Sequence, residues 1–136
     1  MKHEDLEYVK HKLVRSRQTL SEAKHLFEGG FAQGVVNRIY YACFYAVSAL
    51  LLSEGRSRSK HSGVMSLFDE LWIKPRRLPA EVGAFYHLTF DRRQRGDYED
   101  PSDFERADLE SWLEEASRFI DRITQALRQT TGEDMG

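Results

Sequence analysis

Residues 37–51, NRIYYACFYAVSALL, decide the fold of this chain. No proline or glycine interrupts them. Val36, Ile39, Cys43, Ala46 and Leu50 recur in alternating steps of three and four, the spacing of one face of an α-helix. Helical phase sorts the remaining residues into a second row of Asn37, Tyr41, Phe44 and Ser48 and a third of Arg38, Ala42, Tyr45 and Ala49. A helix that is apolar or aromatic nearly all round belongs at the centre of a bundle or against a partner chain. It should run from about residue 32 to residue 54, with Gly55 ending it. The apolar row should make the core. Asn37, Arg38 and the tyrosines Tyr41 and Tyr45 should organise a polar cluster or a chain–chain contact.

Working outward, an amphipathic helix precedes it. Leu6, Val9, Leu13, Leu20, Ala23 and Phe27 share one face, and Gly29-Gly30 stops the run. A third helix over 60–73 carries Val64, Leu67, Phe68, Leu71 and Trp72 until Pro75 forbids its continuation. The fourth starts after Pro79 and holds Val82, Phe85, Tyr86, Thr89 and Phe90 as far as Gly96. Ser102-Asp103-Phe104-Glu105 has the form of a capping box opening a long fifth helix through Leu109, Trp112, Ala116, Phe119, Ile120, Ile123 and Leu127. No segment alternates with period two long enough to make a strand. The chain therefore reads as all-α, an antiparallel up-and-down bundle of about five helices. A single domain over 1–130 and a frayed tail over 131–136 are expected.

Composition narrows the function. A formal net charge of −2 argues against coating nucleic acid by bulk charge, so any nucleic-acid site must be a local patch. Cys43 is the only cysteine, which removes disulfide frameworks and cysteine metal sites and suits a reducing cytoplasm. The polar N-terminus MKHEDLEYVKHK lacks the apolar core of a signal peptide, and the apolar run 46–52 is too short for a bilayer. A soluble, cytoplasmic protein without membrane contact is expected. No phosphate-binding glycine loop, paired metal-ligand histidines or dinucleotide fingerprint occurs, so neither metal nor cofactor is anticipated.

If successive helices alternate in direction, the first, third and fifth begin at the pole where the second and fourth end. That pole gathers Arg56, Arg58, Lys60 and His61 with Arg93, Arg95, Asp97 and Tyr98. Arg93 continues the inward row Val82, Tyr86, Phe90, so it needs an anionic partner: either Asp97, one turn on, or a ligand. His61, at the start of a helix, should stay neutral, able to accept a proton or bind phosphate, although a lone histidine in a basic loop is more often an exposed capping residue. Arg58, Lys60, Arg95, Asp97 and Tyr98 complete the candidate RNA- or nucleotide-binding set.

Three segments in order, Asn37-Arg38-Ile39-Tyr40-Tyr41-Ala42-Cys43-Phe44, then Lys60-His61-Ser62-Gly63-Val64, then Arg93-Gln94-Arg95-Gly96-Asp97-Tyr98, resemble the HEPN domains (higher eukaryote and prokaryote nucleotide-binding), in the branch associated with minimal nucleotidyltransferases. The resemblance implies a helical bundle, commonly a homodimer, encoded beside a minimal nucleotidyltransferase as a toxin–antitoxin pair. Active members are metal-independent ribonucleases that use an arginine and a histidine four to six residues apart near the end of the fourth helix. Arg93 matches that arginine, but no histidine follows it; Asp97 and Tyr98 stand there instead. RNA or nucleotide binding, or pairing with a nucleotidyltransferase, is the leading expectation. The alternatives are a non-catalytic interaction module and a ribonuclease with a rearranged site built from Arg93 and His61.

Overall fold

A computed structural model describes residues 3–98, 100 and 103–135. Among them the chain forms five α-helices and no strand: α1 (His3–Glu28), α2 (Ala32–Ser53), α3 (His61–Phe68), α4 (Ala80–Tyr98) and α5 (Arg106–Thr131). The all-α bundle expected from periodicity is what forms.

The central helix is α2, and eleven of its twenty-two residues are buried. By length and composition it could cross a membrane, but in the bundle its apolar side chains are covered mainly by α1, α4 and α5. Ser16 of α1 donates to the Ala42 carbonyl at 2.6 Å, satisfying a buried hydroxyl across that contact. Cys43 sits on the core row, fully buried, and burial pushes its thiol well above the ordinary range. Gly30, at φ +81, turns the chain from α1 into α2. Gly96 allows α4 to approach α2 closely, since a Cβ there would stand 2.8 Å from Val36 Cγ2.

Three details differ from the sequence reading. The strict alternation of direction fails at α3. After α2 ends, residues 54–60 double back along it. His61 therefore packs beside Tyr40, Tyr41 and Phe44, and Arg77, beyond the third helix, reaches Glu54 at the far end of α2. α3 thus runs parallel to α2, and α4 antiparallel to it. One pole collects the end of α1, the start of α2, the end of α4 and the start of α5.

The second difference is at α5, which begins at Arg106 with Glu105 at the N-cap and no side-chain cap, so Glu105 does not close a capping box. Ser102 lies outside the described residues. α3 passes into a π-helical turn over Asp69–Ile73. The turn beyond it is closed by Arg77, whose guanidinium stacks 3.6 Å above the Trp72 ring and pairs with Glu54 at 2.9 Å. Beyond Gly132 the tail folds back: Met135 is buried and its carbonyl accepts from Arg17 at 3.2 Å, where the sequence alone leads to a frayed end.

Candidate functional site

The half-buried row of α2 forms the floor. Tyr41, Phe44 and Tyr45 are only half-covered there, which leaves them as the floor of a candidate site. Into it the start of α3 delivers His61 and the last turns of α4 deliver Arg93. The His61 ring lies 4.5 Å from Phe44, 5.5 Å from Tyr40 and 5.6 Å from Tyr41, centroid to centroid. The Arg93 guanidinium stands 5.2 Å from the Tyr40 centroid and 5.1 Å from that of Tyr41. Arg38 approaches the same Tyr41 ring at 5.2 Å. The two residues that sequence reasoning paired, His61 and Arg93, do meet, although by the doubled-back linker and not by alternating helices.

Arg93 has no ion pair among the described residues, and its Nε is buried without a hydrogen-bond partner. The Arg93–Asp97 pair is not formed: Arg93 is drawn over two tyrosine faces, while Asp97, one turn on, is exposed at a separate hollow. An unpaired, half-buried cation affects its neighbours. His61 is held below its usual pKa first by burial and then by the charge of Arg93, so it is neutral near pH 7. Burial, partly opposed by Arg93, pushes Tyr40 up to about 12, leaving its hydroxyl a permanent donor. Tyr40 stacks parallel to Tyr86 at 6.3 Å. Their hydroxyls sense each other's ionisation, but neither is in hydrogen-bonding geometry with any partner.

The other sequence candidates are dispersed. Lys60 occupies the N-cap of α3 and is exposed, and Arg58 is folded onto its own backbone, donating to the Ser57 carbonyl at 2.8 Å. Arg95 turns away to the Phe104 ring at 5.2 Å, and Tyr98 is 90 % exposed. Asn37 Oδ1 accepts from Arg38 Nε at 3.0 Å and from its Nη2 at 2.8 Å, while Arg38 Nη1 lies 3.6 Å from Glu22. Tyr45 carries Arg15 at 5.2 Å. Asn37, Arg38 and Tyr41 are thus linked through Arg38, while Tyr45 joins them only by its ring, 6.2 Å from that of Tyr41. No cluster of histidine, cysteine and carboxylates able to hold a metal occurs among the described residues.

Sequence reasoning missed Tyr40 and Phe44 as walls of the site. Tyr40 adjoins Ile39 on the core row, so periodicity alone reads it as packing. The arrangement as a whole offers a cation without a counter-ion among the described residues, a neutral imidazole beside it, and flat aromatic surface around both. Chemically it suits an oxyanion attached to a planar group.

The HEPN domain profile matches residues 9–127, nearly the whole bundle, and the chain belongs to the HEPN domain family. Among curated proteins it is similar to a UPF0332 protein of Thermotoga maritima, 42% identical over 113 residues that cover 83% of this chain and 86% of that one. It is also similar to two Methanocaldococcus jannaschii proteins named "Putative toxin". MJ0605 is 32% identical over 114 residues, covering 84% of each chain, and MJ0142 is 29% identical over 115 residues, covering 85% of this chain and 78% of that one.

Proposed function

We propose that this chain is a toxin-like HEPN protein that binds RNA through Arg93, His61 and the aromatic floor of α2. The observation that carries this reading is the state of Arg93: half-buried, without a carboxylate partner among the described residues, its Nε unsatisfied beside a neutral histidine. A structural arginine in such a place would have a carboxylate; one that awaits a phosphate would not. The toxin names of the two archaeal relatives support the biological class. Tyr41, Phe44 and Tyr45, left half-covered on α2, favour a homodimer that shares this aromatic face, and a minimal nucleotidyltransferase is the partner class in keeping with the family resemblance.

The neutral His61 favours a second reading, metal-independent RNA cleavage, in which Arg93 holds the phosphate and His61 accepts the proton of the attacking 2′-hydroxyl; the 2′-oxygen bonds to phosphorus, the bond to the 5′-oxygen breaks, and that oxygen leaves with a proton from water, giving a 2′,3′-cyclic phosphate and a 5′-hydroxyl. Both readings are tested on purified protein. Fluorescence anisotropy against single-stranded RNA across a salt series should show affinity that falls with salt. Incubation of the same RNA with a metal chelator should yield cleavage products only if the second reading holds. Absence of salt-dependent RNA binding would end both. Light scattering that gives a monomer at micromolar concentration would remove the dimer.

A further inference from the structure

A hollow of about 600 Å³, within the size range of small-molecule sites, lies between the end of α1, the first turns of α2 and the end of α4. Leu26 and Phe31 form its apolar wall, and Asn37, Arg38 and Asp97 its polar side. Phe31 holds the N-cap position of α2, where serine, threonine, aspartate or asparagine would satisfy the first-turn N–H groups; it makes no side-chain cap, and its ring is 63 % exposed. A Cβ at Gly29 would stand 2.8 Å from the ring, so the glycine leaves room for the ring to lie across the turn. Local stability favours a polar residue here, yet the sequence places an open aromatic surface at the mouth of the hollow.

The polar side specifies the guest further. Arg38 and Asp97 both line the hollow, so a charged guest of either sign meets a like charge, whereas a neutral planar group with donors and acceptors meets both favourably. Asn37 Oδ1 is already taken by Arg38, so this pair offers a guest N–H groups. Asp97 offers two carboxylate acceptors. Of the four RNA bases only guanine presents two parallel donors, N1–H and the 2-amino group, with an acceptor, O6, beside them. The hollow is also joined to the proposed phosphate position: the Tyr41 ring carries Arg38 at 5.2 Å and Arg93 at 5.1 Å.

We propose that this hollow receives a guanine base of a single-stranded RNA whose backbone is held at Arg93, with Phe31 stacking on the base and Asp97 reading its Watson–Crick edge. The inference rests on the RNA-binding reading above and adds base selectivity to it. The test uses the full chain and decauridylate RNAs that carry one central guanine, inosine or adenine, followed by anisotropy, with guanosine and adenosine monophosphates compared by calorimetry. The guanine RNA should bind roughly tenfold tighter than the adenine RNA, as stacking and a bidentate contact provide. Inosine, lacking the 2-amino group, should fall between them. Asp97→Asn should erase the guanine preference and leave the uridine background intact. Phe31→Ser should lower affinity for the guanine RNA while its thermal stability holds or rises, because serine caps the helix.

Equal binding of guanine and adenine RNAs, or a preference that survives Asp97→Asn, overturns the base pocket while the RNA reading stands. Guanosine monophosphate binding that depends on Asp97, with no RNA binding, supports the pocket and removes the RNA reading. No binding of either probe removes both. A hollow built for a protein segment would leave all nucleotide binding unchanged in Phe31→Ser, which also overturns the proposal.

Discussion

Arg93→Ala separates binding from structure at the candidate site. The substitution gives up two cation–π contacts, at 5.2 Å and 5.1 Å from the Tyr40 and Tyr41 centroids. Each contributes about 0.5–1 kcal/mol where the cation is partly exposed. It also removes a buried Nε that has no hydrogen-bond partner, and an orphaned buried donor costs about 1–3 kcal/mol. These effects nearly cancel, so stability should change by no more than about 1 kcal/mol, roughly 4 °C in melting temperature for a domain of this size. RNA affinity should behave differently. Loss of a charge-assisted phosphate contact should weaken it by about 1–3 kcal/mol, roughly 5- to 150-fold. The slope of log affinity against log salt should shrink by about 0.7, the value for one phosphate contact to a single strand. Melting curves and anisotropy titrations at several salt concentrations, run on one preparation, read all three quantities. A large fall in melting temperature with unchanged affinity and slope would refute the reasoning, because Arg93 would then be a structural cation.

Three further outcomes follow from named contacts. His61 has a folded pKa below its unfolded value of about 6.5, so the stability it contributes is present above pH 6.5 and is lost as pH falls through the folded pKa; His61→Asn should lessen the drop in melting temperature between neutral and mildly acidic pH. Gly96→Ala forces a methyl to within 2.8 Å of the stiff, buried Val36 and should destabilise the fold by about 1–3 kcal/mol, read by denaturant unfolding. Arg76 is a non-glycine residue at φ +61, and Arg76→Gly should raise stability by about 0.5–1 kcal/mol, the left-handed strain relieved less the entropy glycine loses; an unchanged melting temperature would show that the turn closed by Arg77 already absorbs that strain.

The parts of the fold that were legible in the sequence are those written as periodicity. α1, α2 and α5 are long enough for three-four spacing to mark both face and length, and Gly29-Gly30 and Gly55 punctuate the first two. The direction of α3 was not legible. Residues 54–60 have no apolar pattern, so nothing local says whether the chain crosses over or doubles back, and the choice is made by packing of His61, Val64 and Phe68 against α2 and α4. The Ser-x-x-Glu pattern misled for a related reason. A motif of four polar and aromatic residues does not determine which of them becomes the cap, and Phe104, packed edge-on to Trp112, places the helix start after Glu105. Arg93 was legible as inward-leaning from its row, but its partner was not. Spacing along one helix offers Asp97, and only the tertiary fold brings two tyrosine rings closer. Phe31 left no signal beyond being an exposed aromatic next to two glycines.

The electrostatics of the site make Arg93 and His61 act as one device. Arg93 without a counter-ion lowers the proton affinity of His61, and a phosphate bound at Arg93 would cancel that effect and add its own negative charge beside the ring. Binding should therefore raise the pKa of His61, so a proton is taken up and affinity rises as pH falls. The same coupling bears on catalysis. In the free protein His61 is a neutral acceptor; once a phosphodiester is seated it becomes a stronger base, which is when a base would be needed to take the proton of a 2′-hydroxyl. On the cleavage reading proposed above, an imidazole reaching in from another helix would take the part of a histidine on the helix of Arg93, provided it is close enough to feel both the guanidinium and its ligand. His61 meets that condition from α3, and Asp97, released from pairing with Arg93, is left available at the adjoining hollow.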